Sequence, residues 1–338
     1  MKDYVKGLLI ALLIILIVIS SIIISWFGFV FIIKNDNYNM KSVTNENLQF
    51  YFTAEPRDAE GISGTGKSNL YLCSVASDSF ELIYSSEKYN IKKFCADKDT
   101  IYFIGEYRQD GIEKYDLVKL ENNSEMKLAE FDFPIFDLKL INNKLYFIFY
   151  EEISETEFDV TVYHYDLSEN TVINDRQYNF ERKIIVGEIL SETEIYLIGR
   201  YKKSSTDIIS TEVFYLISGN EITEIQYAKI MQKYEDKLYA YYRNSLFGNY
   251  DSEKNEVTIL KKAVDYDFGW VSGLVINKTG KYALVYASRY DYKFSLSGDQ
   301  LNKYYITIFN METYKQAAVK CIDFRKNFYQ VHSYTWVE

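Results

Sequence analysis

The chain has 338 residues, of which 48% are hydrophobic, enough to bury a substantial core and inconsistent with global disorder. A formal net charge of −10, with lysines scattered among acidic residues, excludes the basic stripe that a nucleic-acid partner requires. Tyr (33) and Phe (22) are abundant while Pro (2) is scarce, a composition that leans towards strands.

Residues 1–6 form a short N-terminal segment, followed by an uncharged run of 27 residues, "GLLIALLIILIVISSIIISWFGFVFII", over 7–33. That run exceeds the roughly 20 residues needed to span a hydrocarbon core, and Trp26 near its end suits a membrane interface. A cleaved signal peptide has an apolar stretch of only about 7–15 residues and a small-residue cleavage site. The run is too long for that and lacks the site, and no cysteine precedes Cys73 to carry a lipid. The expectation is an uncleaved transmembrane signal anchor. Lys2 and Lys6 precede it and Lys34 and Lys41 follow it, so charge alone orients it weakly. The short N-terminal side favours a cytoplasmic N-terminus with the main domain on the extracytoplasmic side of the cell membrane.

Residues 34–46 read as a polar linker, and 47–338 as the extracytoplasmic domain. Early in that domain, "EGISGTGKSN" contains Gly61, Gly66, Lys67 and Ser68 at P-loop spacing. A working P-loop follows a buried strand directly and opens a helix whose N–H groups hold phosphate. Here "AEPRDAE" intervenes, and the strand-like "NLYLCSV" follows. The letters are read as a chance match on a hairpin tip, with no nucleotide site.

From Leu48 onward one pattern recurs: "LQFYFTA", "TIYFIGE", "KLYFIFY", "EIYLIGR", "KLYAYYR" and "KYALVYA". Taking Tyr51, Tyr102, Tyr146, Tyr196, Tyr239 and Tyr282 as equivalent, the steps are 51, 44, 50, 43 and 43 residues. Self-similarity at that period points to a β-propeller or another array. Each run is apolar at both alternating positions, as a strand buried on both faces should be. Before the runs lie short strands such as "IKKFCAD" and "IFDLKLI", and after them two more, such as "YDLVKL" and "MKLAEF". Four strands make a blade, and six runs predict an all-β, six-bladed propeller, with seven blades as the alternative. The first run lacks a strand before it, so the C-terminal "FYQVHSYTWVE" is expected to return and close the ring.

The segment "INKTGKYALVYASR" (276–289) resembles the Ser-Pro-Asp-Gly-Lys strand–turn–strand of TolB-like propeller repeats. Asn277 and Thr279 stand for its Ser and Asp, and Lys278 for its Pro. The "KLYFI…YDL" units are similar to propellers on membrane-anchored surface proteins of low-GC Gram-positive bacteria. The resemblance spans roughly 47–338 and implies the fold. WD40 Gly-His and Trp-Asp signatures are absent, and no G-x-S-x-G nucleophile elbow is present.

Candidate chemistry is sparse. Cys73, Cys95 and Cys321 show no metal or redox spacing; buried thiols and a Cys73–Cys95 bridge both stay open. His164 and His332 form no sequence-visible triad with Ser or Cys. No cofactor and no metal site is expected. The expected binding surface is the face carrying the blade-to-blade loops, where Tyr89, Phe133, Phe180, Arg182, Asp265, Asp267 and Trp270 set aromatics beside charge. The competing reading is that these residues plug the tunnel or pack between blades. The leading expectation is a membrane-anchored interaction or sensing module for a protein or peptide. The alternatives are a glycan-directed lyase or hydrolase with axial carboxylates, Asp265, Asp267, Glu181 and His332 being the residues to map, and an accessory subunit of an exporter or envelope complex.

Overall fold

A computed structural model describes residues 18–21, 46–56, 66–76, 80–154, 157–201, 211–225, 231–242, 246–262, 270–291, 301–323 and 328–337. The chain divides into two units, Met1–Lys41 and Ser42–Glu338. In the first, residues 18–21 are helical, and no helix among the described residues is long and apolar enough to cross a membrane. The remainder of the predicted span and all of the linker but Glu46 lie outside the described residues.

The second unit is built from strands that the aromatic runs nucleate. The first blade opens with β1 (Gln49–Pro56), β2 (Asn69–Ser74) and β3 (Phe80–Ser85). The second holds β4 (Asn90–Asp97), β5 (Thr100–Gln109), β6 (Ile112–Glu121) and β7 (Ser124–Phe131). The third holds β8 (Ile135–Ile141), β9 (Lys144–Ser154), β10 (Glu157–Asp166) and β11 (Thr171–Phe180). The fourth holds β12 (Lys183–Ile189), β13 (Glu194–Tyr201), β14 (Thr211–Ser218) and β15 (Glu221–Ile225). The fifth holds β16 (Met231–Tyr234), β17 (Lys237–Tyr242), β18 (Leu246–Asp251) and β19 (Glu256–Lys262). The sixth holds β20 (Trp270–Ile276), β21 (Tyr282–Asp291), β22 (Leu301–Asn310) and β23 (Lys315–Asp323), and β24 (Phe328–Trp336) follows.

Each sheet is four-stranded and antiparallel, and β24 pairs with β1 to complete the first blade in the order β24-β1-β2-β3. The ring therefore has six blades, closed by the C-terminal strand as the sequence led one to expect. Closure removes an unpaired inner edge from the first blade. The inner strands meet around the axis: β24 packs on β4, β4 on β8, β8 on β12, β16 on β20 and β20 on β24.

Period-two alternation explains the doubly apolar runs. Along β9, Leu145 and Phe147 enter the core shared with the second blade, while Tyr146 and Ile148 enter the core shared with the fourth. In β5, Ile101 and Phe103 face the first blade, and Tyr102 and Ile104 the third. Burying such a side chain stabilises by roughly 1.5–3 kcal/mol, and each central strand does so on both faces.

Turn chemistry fixes the hairpins. Asp110-Gly111, Asn122-Asn123 and Asn142-Asn143 each place both residues at positive φ, the type I′ geometry that matches strand twist. Longer turns use a second device: Asp166, Asp251 and Asn310 each accept two backbone N–H bonds from the residues two and three positions on. The Asn277–Tyr282 turn, which carries the TolB-like resemblance, has Gly280 at φ +69°, and Asn277 accepts from the Tyr282 N–H.

A feature not legible in the sequence is a bulge in five inner strands. The register skips Lys92, Phe136, Ile185, Ser272 and His332. In three blades the skipped side chain meets the far end of its own central strand. The pairs are His332 with Glu55, Lys92 with Glu106 at 3.0 Å, and Phe136 stacked on Tyr150 at 5.0 Å. A bulge bends and twists its strand locally and re-aims the side chains that follow it.

Candidate functional site

The residues after those bulges face the axis. Lys93 of β4 lies 3.8 Å from Asp137 Oδ1 of β8 and 3.8 Å from Glu188 Oε1 of β12. β8 stands between the other two strands in the ring, so Lys93 and Glu188 meet across the inner rim of a whole blade. Asp137 is held by the Ile189 N–H, which donates to Oδ2 at 2.8 Å. Lys139 braces the same joint, its Nζ donating to the carbonyls of Ile189 (3.1 Å) and Leu190 (3.3 Å). Three blades are thereby joined through side chains at the axis.

Although the cluster lies inside the ring, it is not sealed. The side chains of Lys93, Asp137 and Glu188 keep 30%, 13% and 29% of their surface exposed. Burial raises the Glu188 pKa to about 7; the Asp137 charge adds to the rise, and Lys93 and Lys139 oppose it. Burial works against the Lys93 charge, but Glu188 and Asp137 outweigh it and lift its pKa. Lys139 is lowered by burial. Tyr334, from β24, is raised well above the usual phenol range by burial and by the Glu188 charge. Two carboxyl groups and two lysine amines from three blades can there bind a charged group or exchange a proton.

A second pair lies within the first blade, between β24 and β1. His332 Nε2 is 3.8 Å from Glu55 Oε2, both side chains are more than nine-tenths buried, and that nitrogen has no hydrogen-bond partner among the described residues. Burial first, and the Lys92 charge second, lower the His332 pKa to about 4, so the ring is neutral at physiological pH.

The P-loop-like letters enter this region, with Gly61 outside the described residues. Gly66 has φ +72° and donates its N–H to Glu55, so a group that a P-loop would turn to phosphate is turned to a carboxylate. Ser68 is fully buried, donates its N–H to the Tyr89 carbonyl at 2.9 Å, and leads into strand β2. The fold offers no helix N-terminus there to hold phosphate.

The aromatic loop residues sit elsewhere. Tyr89 is buried against Phe103 and Tyr107, and its hydroxyl donates to the buried Asp116 at 2.8 Å. Lys88 bonds the same carboxylate at 2.8 Å and lies 3.6 Å from the centre of the Tyr107 ring. Phe133 stacks on Phe149 at 3.8 Å and faces Tyr163. Phe180 is buried against Tyr215, whose hydroxyl accepts from Arg182 at 2.9 Å. Their contacts are with second and third strands, not with the axis. Asp265 and Asp267 lie outside the described residues, and Trp270 begins β20. Cys73 and Cys95 are free thiols in different blades. His164 is a buried strand residue beside Asp175, at 2.9 Å. Among the described residues no group of three or more His, Cys, Asp or Glu is arranged to hold a metal.

The axial cluster escaped sequence reading because each blade contributes a different residue type beyond its bulge, Lys93 and Asp137 one residue past it and Glu188 three. The visible signal was a charge inside an otherwise apolar inner strand: Lys93 in "IKKFCAD", Asp137 in "IFDLKLI" and Glu188 in "KIIVGEI".

No protein-family model matches the chain, and no curated protein sequence matches it. Solved structures do. One is TolB from Acinetobacter baumannii, at TM-score 0.52 and 10% identity, covering 86% of this chain and 66% of that one. Another is a protein from Lactobacillus plantarum, at TM-score 0.46 and 9% identity, covering 87% and 100%. A third is the acylaminoacyl peptidase of Pyrococcus horikoshii, at TM-score 0.43 and 14% identity, covering 82% and 44%. Of these three, only the TolB match exceeds a TM-score of 0.5, and this chain spans about two thirds of TolB's length. The likeness is one of fold: a six-bladed, TolB-like β-propeller.

Proposed function

We propose that the chain is a single-pass, membrane-anchored β-propeller that binds a protein or peptide partner on the extracytoplasmic side. The anchor in this reading is the apolar run of residues 7–33. The observation that carries the binding role is the axial cluster, where Lys93 and Glu188 stay about three-tenths exposed although surrounded by blades. Charges inside a core normally cost stability unless they are fully paired, and these ion pairs are loose. Ionisable side chains kept exposed in that position suit recognition better than packing. Chemical crosslinking of the full-length chain in its own membranes, followed by purification in mild detergent, tests the reading. A discrete crosslinked partner is expected, and recovery of the chain alone would oppose it.

One observation favours a second reading. Glu188, with its pKa near neutrality and Asp137 beside it, has the pairing of a general acid with a carboxylate. A glycan-directed lyase or hydrolase would use it. Turnover of cell-wall glycan by the wild type, abolished in Glu188→Gln, would establish that chemistry.

A further inference from the structure

We propose that Asp116 is the pivot of a two-position lysine switch: Lys88 holds it in the structure, and Lys127 replaces Lys88 when that side chain turns out to solvent. The device lies on the second blade, apart from the axial cluster, and stands without it. Asp116 is fully buried on β6, and its Oδ2 accepts from both the Lys88 ammonium and the Tyr89 hydroxyl, each at 2.8 Å. The Lys88 Nζ also donates to the Tyr89 hydroxyl at 3.1 Å and lies 3.6 Å from the centre of the Tyr107 ring. Room for this pocket comes from Gly105, the cross-strand partner of Asp116, where a β-carbon would lie 2.5 Å from Tyr89 Cγ. A buried carboxylate is costly without a cation. Yet the cation that serves this one is 44% exposed and comes from the loop between β3 and β4.

Two arrangements make that cation exchangeable. Tyr89 does not have to move with it: its ring packs on Phe103 and Tyr107, and Ser86 Oγ accepts the Tyr89 N–H at 2.6 Å and the Lys88 N–H at 3.2 Å. The loop backbone is thereby fixed, and only the Lys88 side chain needs to turn. A reserve cation also stands at the other carboxylate oxygen. Lys127 Nζ of β7 is 3.9 Å from Asp116 Oδ1, to which the Tyr107 hydroxyl donates at 3.4 Å. In the structure Lys127 is held 2.7 Å from Glu130, in a pair exposed on both sides. Exposed pairs contribute little and an unpaired buried charge costs much, so Lys127 gives up Glu130 for Asp116 once Lys88 leaves. The exchange frees Lys88 and Glu130 and uncovers the Tyr107 ring. A ligand shifts such an equilibrium only by binding the two positions unequally, and those three groups are what differ between them.

The test uses the full-length chain in detergent micelles, as wild type, Lys88→Met, Lys127→Met, the double variant, and the double variant carrying Asp116→Asn. Each is measured for its melting temperature and for the rate at which an amine-reactive acetyl ester labels each lysine, read by mass spectrometry. Both single variants should melt close to wild type. The double variant should lose far more than the sum of the two, and Asp116→Asn should restore it. Lys127 in the Lys88→Met chain, and Lys88 in the Lys127→Met chain, should each be labelled at least about threefold more slowly than in wild type, the low end of coupling between groups that share a partner. Additive losses, a Lys88→Met chain as unstable as the double variant or unable to fold, or unchanged labelling in the single variants would each overturn the proposal. Asp116 would then be an ordinary buried ion pair served by Lys88 alone.

Discussion

Gly273 of β20 and Tyr334 of β24 meet at the seam where the ring closes, so closely that a β-carbon on Gly273 would lie 1.3 Å from the tyrosine hydroxyl. Tyr334 packs beside Tyr286 at 5.3 Å and so belongs to the core between the last blade and the first. Gly273 follows the bulge that skips Ser272, the position where β4 carries Lys93 and β8 carries Asp137. The seam therefore needs glycine at a place where other blades carry charge. Gly273→Ala should cost about 2–3 kcal/mol, the ordinary penalty of overpacking. Urea unfolding checks this, and a loss below 0.5 kcal/mol, on the order of ordinary surface substitutions, would contradict it.

Removal of β24 should be far more damaging. Without Phe328–Trp336, β1 loses one of its two neighbours, and Trp336 leaves a core that holds Phe50 and Phe52. A chain truncated before Phe328 is expected to lose its cooperative thermal transition, as circular dichroism would show.

Glu188 should make the propeller less stable as pH rises. Its folded pKa, about 7, lies above its ordinary value of 4.5, so the folded chain binds more protons across that interval. Stability then falls from about pH 4.5 to about pH 7 and levels off above. Glu188→Gln should flatten that slope and stabilise at pH 8 by an amount on the order of 1–3 kcal/mol, allowing for its partial exposure. Chemical denaturation at pH 5 and pH 8 measures both.

His332 should act in the opposite direction. Its folded pKa of about 4 lies below the ordinary 6.5, so the unfolded chain binds the extra proton. Stability is complete above about pH 6.5 and is lost as pH falls towards 4. The two slopes oppose each other between pH 4.5 and 6.5, so the Glu188→Gln variant should expose the histidine slope, of at most about 1.4 kcal/mol per pH unit. The double variant Glu188→Gln/His332→Gln should show neither.

Much of the fold was legible because it depends on patterns local to one run. The central strands could be read from alternating positions that are all apolar, since each face meets a neighbouring blade. The hairpins could be read from Asp110-Gly111 and the two Asn-Asn pairs, because positive φ selects those residues. Strand β24 could be inferred because the first run had no strand before it. The site was different. Whether Lys93 faces the axis depends on the bulge at Lys92, and no residue preference marks that bulge: Lys92, Phe136, Ile185, Ser272 and His332 all occupy it. Tyr89, Phe133, Phe180 and Arg182 drew attention as aromatics beside charge, which is also how a strand edge packs against the next blade. Gly66-Lys67-Ser68 matched a phosphate loop in letters, but its glycine N–H is given to Glu55.

The central claim is that the ring axis, through Lys93, holds a partner while the chain sits in its membrane. The direct measurement is crosslinking of full-length wild type, Lys93→Arg and Lys93→Met in native membranes, with each variant's melting temperature measured alongside. The account expects the same discrete partner with wild type and Lys93→Arg, and its loss with a folded Lys93→Met. A chain recovered alone in all three, or a partner retained undiminished by folded Lys93→Met, would contradict it.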